Sequence, residues 1–206
     1  MVIQLRENHG SRSMSQPRLI PIALILYTAM AVVAWVWRRA LRGEPLLYAG
    51  GAPAGLDPIR DVAIGLAAAI LLVVLSRWLT LRTRAGEALA HRLAETLGPL
   101  SLAEIAVLAA ASGIGEELFF RGALQPRVGL VAASLLFGAA HLVPSRPLAL
   151  WSVFACAAGL LFGALFERTG NLVAPIVAHA AVNALNLRWL VRRHARGWHP
   201  ETHSRN

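Results

Sequence analysis

Apolar residues run along this chain in long blocks separated by short, arginine-rich breaks. Leu19 to Trp37 is nineteen residues without a charge, and Leu148 to Phe166 is another nineteen. Each matches the length of helix that crosses a hydrocarbon core. Four further blocks fall between and after them: Val62 to about Leu81, interrupted by Arg77; Leu102 to about Gln125; Val128 to Val143; and Asn171 to Leu187. The pattern predicts an all-α fold, a polytopic membrane protein with about six transmembrane helices. From Arg82 to Leu97 the spacing differs. Ala85, Leu89, Leu93 and Leu97 recur every four residues with arginine and glutamate between them, which predicts an amphipathic helix lying in the membrane interface. Gly98 and Pro99 end it, and Ser101 then stands three residues before Glu104, the spacing of a capping box that gives Glu104 a structural task. Gly43, Pro45, Gly50, Gly51, Pro53, Gly55 and Pro58 break residues 43–60 into a loop.

Composition agrees with a bilayer: 56% of the 206 residues are hydrophobic and only 15% are charged. The net charge of +9 comes from twenty basic residues that are all arginine and gather at the ends of the blocks. That distribution argues for membrane topology and against nucleic acid. With six spans, 13 arginines fall on the side of the two termini and 7 on the other, so both termini are expected in the cytoplasm. Arg38, Arg39 and Arg42 lie on the opposite side from that majority. Residues 1–18 are polar, and the first block is too long and lacks the small-residue cleavage site of a removed signal peptide, so it reads as a retained anchor. The expected organisation is an N-terminal unit over 1–99 (polar segment, two accessory spans and the interfacial helix), a four-helix membrane core over 100–187, and a basic tail over 188–206. Cys156 is a lone cysteine, read as packing. Gly159 and Gly163 make a GxxxG pair suited to close helix packing within the chain.

The informative residues are polar ones inside the apolar blocks. Glu116, Glu117 and Arg121 share the third block, His141 lies in the fourth, and His179 and Asn183 lie in the sixth. A charge at the bilayer centre costs about 2.5–3.5 kcal/mol even on lenient scales, so such residues call for a reason. Glu117 and Arg121, four apart, meet on one helix face and account for each other. Glu116 points about 100° away and is left to face other helices. A single histidine in an apolar helix is commonly a packing residue. Here there are two, and His179 shares its helix face with Asn183 at i+4. Counted at about 1.5 Å per residue, Glu116, His141 and His179 reach roughly 12–20 Å into the membrane and can converge in one pocket.

Glu116-Glu117-Leu118-Phe119-Phe120-Arg121 fits EExxxR, Phe137 to His141 fits FxxxH, and His179 to Asn183 fits HxxxN. Together and in this order they resemble the CPBP family of intramembrane glutamic proteases, the CAAX proteases and bacteriocin-processing (Abi) enzymes that include the Ras-converting prenyl endopeptidase. The resemblance covers about residues 100–187. It implies an intramembrane endopeptidase acting on a membrane-tethered protein or peptide. Glu116 would activate water with His141, His179 and Asn183 would stabilise the oxyanion, and Glu117, Arg121 and Phe137 would support the site. It implies no cofactor, lipid and a membrane-anchored substrate as partners, and a bacterial inner membrane as the location. Two alternatives stay open: Glu116, His141 and His179 as ligands of a catalytic zinc, and a polar cluster serving a small transporter or a non-enzymatic scaffold.

Overall fold

The computed structural model describes residues 19–48, 57–142 and 146–195. The polar N-terminal segment, residues 49–56 of the glycine- and proline-rich loop and the last part of the basic tail lie outside them. Seven α-helices follow one another: α1 Leu19–Trp35, α2 Pro58–Arg82, α3 Arg84–Leu97, α4 Leu102–Glu117, α5 Gln125–Ala140, α6 Arg146–Thr169 and α7 Val173–Ala195. Two π-helical turns extend them, Val36–Ala40 after α1 and Leu118–Leu124 between α4 and α5. The protein is an all-α polytopic membrane protein. Over its described residues each apolar block is mainly helical, and α3 is the additional amphipathic helix.

Side chains explain the helix ends. Asp57 caps α2 by accepting from the Arg60 amide at 3.0 Å, with Pro58 in the first turn. Thr83 caps α3 in the same way through the Gly86 amide, also at 3.0 Å. The capping box of α4 is complete: the Glu104 amide donates to Ser101 Oγ at 3.2 Å, and the Ser101 amide donates to Glu104 Oε2 at 2.7 Å. Near its start α5 is kinked at Gly129, whose φ of 82° strains any side-chain-bearing residue. Pro175 does not break α7: it sits in the first turn, where a proline fits, and the helix runs unbroken to Ala195.

Among the described residues, three helical stretches are long and apolar enough to cross a membrane on hydropathy alone, Ile20–Ala40, Pro58–Arg82 and Ala149–Thr169; a fourth appears if α3 with α4–α5 is taken as one span bent by 109°. The remaining helices carry the charged and polar residues, which lowers their hydropathy. Their polar groups are covered by protein instead. α2, α6 and α7 form the main core, with Ala69, Leu72 and Val73 against Phe162, Leu165, Ala174 and Ala178. The outer faces of α1 and α2 stay apolar, with Ile25 69% and Ile70 60% exposed, as a lipid-facing surface requires. On α3 the buried line is Gly86, Ala90 and Ala94, one residue round from the predicted Ala85 line, and Ala85 itself is exposed. Small residues on that line let α3 approach its neighbours closely, while Leu89, Leu93 and Leu97 beside it face a cavity.

Long polar links tie the accessory helices to the rest. Asp61, fully buried in α2, accepts from Asn171 Nδ2 at 2.7 Å, and Asn171 Oδ1 caps α7 at the Val173 amide, 2.8 Å away. Arg38, only 3% exposed, pairs with Glu44 at 3.2 Å and donates to the Pro45 and Tyr48 carbonyls. One of the three arginines that departed from the majority side is therefore a buried, neutralised clamp. Arg127 also pairs with Glu44 and, as its strongest influence, holds that carboxyl below the usual range. Residues 43–48 and the start of α5 thus lie on one side of the protein.

Candidate active site

The site is built where α4, α5 and α7 meet. α4 and α7 approach closely because Gly113 faces the backbone of α7. A Cβ on Gly113 would lie 2.9 Å from the Ala180 amide nitrogen. That approach sets the end of α4 beside His179. Glu116 and Glu117 are the last two residues of α4, and the helix then widens into the π turn that carries Arg121. Such turns interrupt the regular ladder and frequently accompany functional sites.

Glu117 is the hub. Its Oε1 accepts from Arg121 Nη1 at 2.9 Å and from His179 Nδ1 at 2.7 Å, and its side chain is fully buried. Arg121, 1% exposed, also donates to the Gly159 carbonyl at 3.1 Å and lies 4.3 Å above the Phe137 ring. The expected Glu117–Arg121 pair is present and does more than neutralise charge. It fixes His179 and joins α4 to α6. The GxxxG face of α6 is used within the chain, because Gly163 likewise accepts from Gln125 at 3.1 Å.

Glu116 points elsewhere. It is 6% exposed, its Oε2 is buried without a hydrogen-bond partner among the described residues, and the nearest cationic or basic atom is His141 Nε2 at 3.8 Å. That separation is too long for a direct bond. His141 Nδ1 lies 2.8 Å from the Phe137 carbonyl, an acceptor, so the proton belongs on Nδ1 and the Nε2 lone pair faces Glu116. The same reasoning puts a proton on His179 Nδ1 against the Glu117 carboxylate. His179 Nε2 is then a donor only when the ring carries both protons. Phe137, 2% exposed, packs beneath both imidazoles, with centroids 4.7 Å from His141 and 5.9 Å from His179.

All seven predicted residues, Glu116, Glu117, Arg121, Phe137, His141, His179 and Asn183, therefore belong to one neighbourhood. Asn183 sits one turn along α7 from His179 and donates to Ser112 Oγ at 2.8 Å. Sequence reasoning missed Ser112, although a buried serine one turn before Glu116 on α4 was a readable signal. It also missed Phe162, stacked on His179 at 5.1 Å, and Trp151, edge-on to His141 at 5.2 Å. Neither aromatic stands out from its apolar surroundings in sequence. For zinc the donor chemistry is mixed. Both Nδ1 atoms are held by oxygen acceptors, as in histidines that bind metal through Nε2. Yet no three His, Cys, Asp or Glu side chains among the described residues are gathered closely enough to hold one ion.

An apolar cavity of about 800 Å³ adjoins the site. α3, α4 and α7 line much of it, and it reaches the polar cluster at Ser112, Asn183 and Trp151.

Residues 98–185 match the family model described as type II CAAX prenyl endopeptidase Rce1-like. A similar curated protein, the uncharacterized protein YpbD of Bacillus subtilis (strain 168), is 39% identical over 87 residues, 41% of this chain and 44% of YpbD. The chain thus spans less than half the length of that relative. No solved structure matches. The matched residues, 98–185, coincide with the segment in which the EExxxR, FxxxH and HxxxN motifs occur and which gathers the polar cluster, so it is this part of the chain that is similar to the Rce1-like family.

Proposed function

We propose that this protein is an intramembrane endopeptidase in which Glu116 activates a water molecule. The observation that carries the reading is the buried, unpartnered Glu116 Oε2 facing the His141 Nε2 lone pair across 3.8 Å. A water between them donates one proton to each and keeps an oxygen lone pair for attack. Glu116 takes a proton as that oxygen adds to the scissile carbonyl, and the same proton passes to the leaving amine as the tetrahedral intermediate collapses. His179, doubly protonated against Glu117, and Asn183 supply hydrogen bonds to the oxyanion. Glu117 and Arg121 hold His179 in orientation. Neither a covalent intermediate nor a bound cofactor enters the reading. The substrate is a membrane-tethered protein or peptide entering through the apolar cavity. Replacing Glu116 by Gln and following cleavage in membranes tests the assignment directly.

A zinc-dependent reaction using Glu116, His141 and His179 is the second reading, supported by the oxygen acceptors behind both Nδ1 atoms. The two readings part under chelation. With water held by Glu116 and His141 alone, the purified protein keeps its activity in strong chelator. His179→Ala then lowers turnover by about a hundred- to a thousandfold, the worth of an oxyanion donor. Loss of activity in chelator, restored by one zinc per chain, would establish the metal reaction instead.

The location we propose is the bacterial inner membrane, with both termini in the cytoplasm. Reporter fusions after Arg196 and within α3 should then report the cytoplasm, and a fusion between Gly43 and Arg60 the opposite face. Signals reversed at all three positions would invert the protein and the side from which substrates enter.

A further inference from the structure

Resting on the protease reading, we propose that Ser112 is a positioning residue for the reaction, an acceptor that turns the Asn183 amide so that an N–H of its Nδ2 is presented to the oxyanion. α4 and α7 come together where Gly113 meets Ala180, and one polar bond between the two helices lies on each side of that contact. On one side Glu117 Oε1 accepts from His179 Nδ1 at 2.7 Å, and on the other Ser112 Oγ accepts from Asn183 Nδ2 at 2.8 Å. Each of the two oxyanion donors is thus held by its own acceptor on α4. Glu117 is part of the EExxxR motif, whereas Ser112 falls in none of the three motifs.

Counting protons gives the second bond its direction. A hydroxyl has one proton, and that of Ser112 goes to the Ala109 carbonyl of its own helix at 3.2 Å. Towards Asn183 the Ser112 oxygen can then only accept. The amide must offer it the NH2 group and not Oδ1. Of the two protons on Nδ2 one is spent on Ser112, and the other diverges from it and is left for a substrate. An amide turned over would instead set Oδ1 against the developing negative charge, which a donor stabilises and a carbonyl oxygen repels.

Burial and spacing agree. Ser112 is 3% exposed, so the orientation of Asn183 is set within the protein and not by bulk water. Ser112 also precedes Glu116 by four residues, so one face of α4 carries both the base and the acceptor behind an oxyanion donor. Both Ser112 and Asn183 border the cavity through which the substrate enters. The positioning therefore acts where the peptide meets the site.

The test uses the full-length protein in liposomes and a randomised decapeptide library bearing a hydrophobic anchor, with cleavage read by mass spectrometry. On the best-cleaved sequence, Ser112→Ala should lower kcat about tenfold, the worth of one neutral hydrogen bond, with KM within about twofold. Asn183→Ala should cost about a hundredfold. Once Asn183 is alanine there is no amide left to orient, so adding Ser112→Ala should cost less than about twofold. Ser112→Cys fills the same space and accepts only weakly; it should lower kcat severalfold and serves in place of Ser112→Ala if that variant is scarce. An unchanged kcat in the Ser112 variants, or the same cost with and without Asn183, would overturn the positioning role alone. A loss as complete as that of Glu116→Gln would also overturn it, by making Ser112 a reacting group. Absence of any library cleavage that depends on Glu116 would overturn the protease reading and the positioning role together.

Discussion

Glu116→Gln should accumulate to normal levels, keep its helical content and melting behaviour, and lose cleavage by about a hundred- to ten-thousandfold, the range for a missing general base. Glutamine has the same shape and remains buried at the end of α4, where Glu116 makes no hydrogen bond through Oε2 that the fold would lose. What disappears is the ability to take the proton of a water shared with His141 Nε2. Glu117→Gln provides the contrast. That carboxylate serves Arg121 and His179 together, so its neutral variant should lose stability as well as activity. Full cleavage by Glu116→Gln, with cleavage lost from a stably folded Glu117→Gln, would exchange the roles of the two carboxylates.

Arg121→Ala is expected to have the largest effect on stability. The guanidinium is 1% exposed, pairs with Glu117, donates to the Gly159 carbonyl and lies against Phe137. Its removal leaves a fully buried carboxylate with His179 as its remaining partner and opens a void between α4 and α6. Breaking a buried pair from one side costs on the order of 3–5 kcal/mol, comparable with the whole stability of many domains. The variant should therefore be scarce in membranes and melt early in detergent. The double variant Glu117→Gln/Arg121→Met removes both charges and refills the space, so it should recover abundance while remaining inactive. Normal abundance and melting of Arg121→Ala would show that the ion pair contributes little to the fold.

Much of this architecture was legible in the chain because local chemistry dictated it. Blocks of apolar residues at bilayer length became helices, Ser101 and Glu104 formed their capping box, and Glu117 met Arg121 because residues four apart share a helix face. Pairing of polar residues between separate helices was also legible, because buried polar residues in separate spans must find one another or a ligand, and Glu116 faces His141 while Glu117 holds His179. Tertiary structure alone decided how they divide the work. Both carboxylates are adjacent in sequence, yet the close α4–α7 approach at Gly113 gives His179 to Glu117 and leaves Glu116 facing His141. The bond from Asn183 to Ser112, the aromatic cover from Trp151 and Phe162, the burial of Arg38 against Glu44 and the Asp61–Asn171 link join residues distant in sequence. No periodicity specifies such pairings, because they depend on the distances and angles at which whole helices pack.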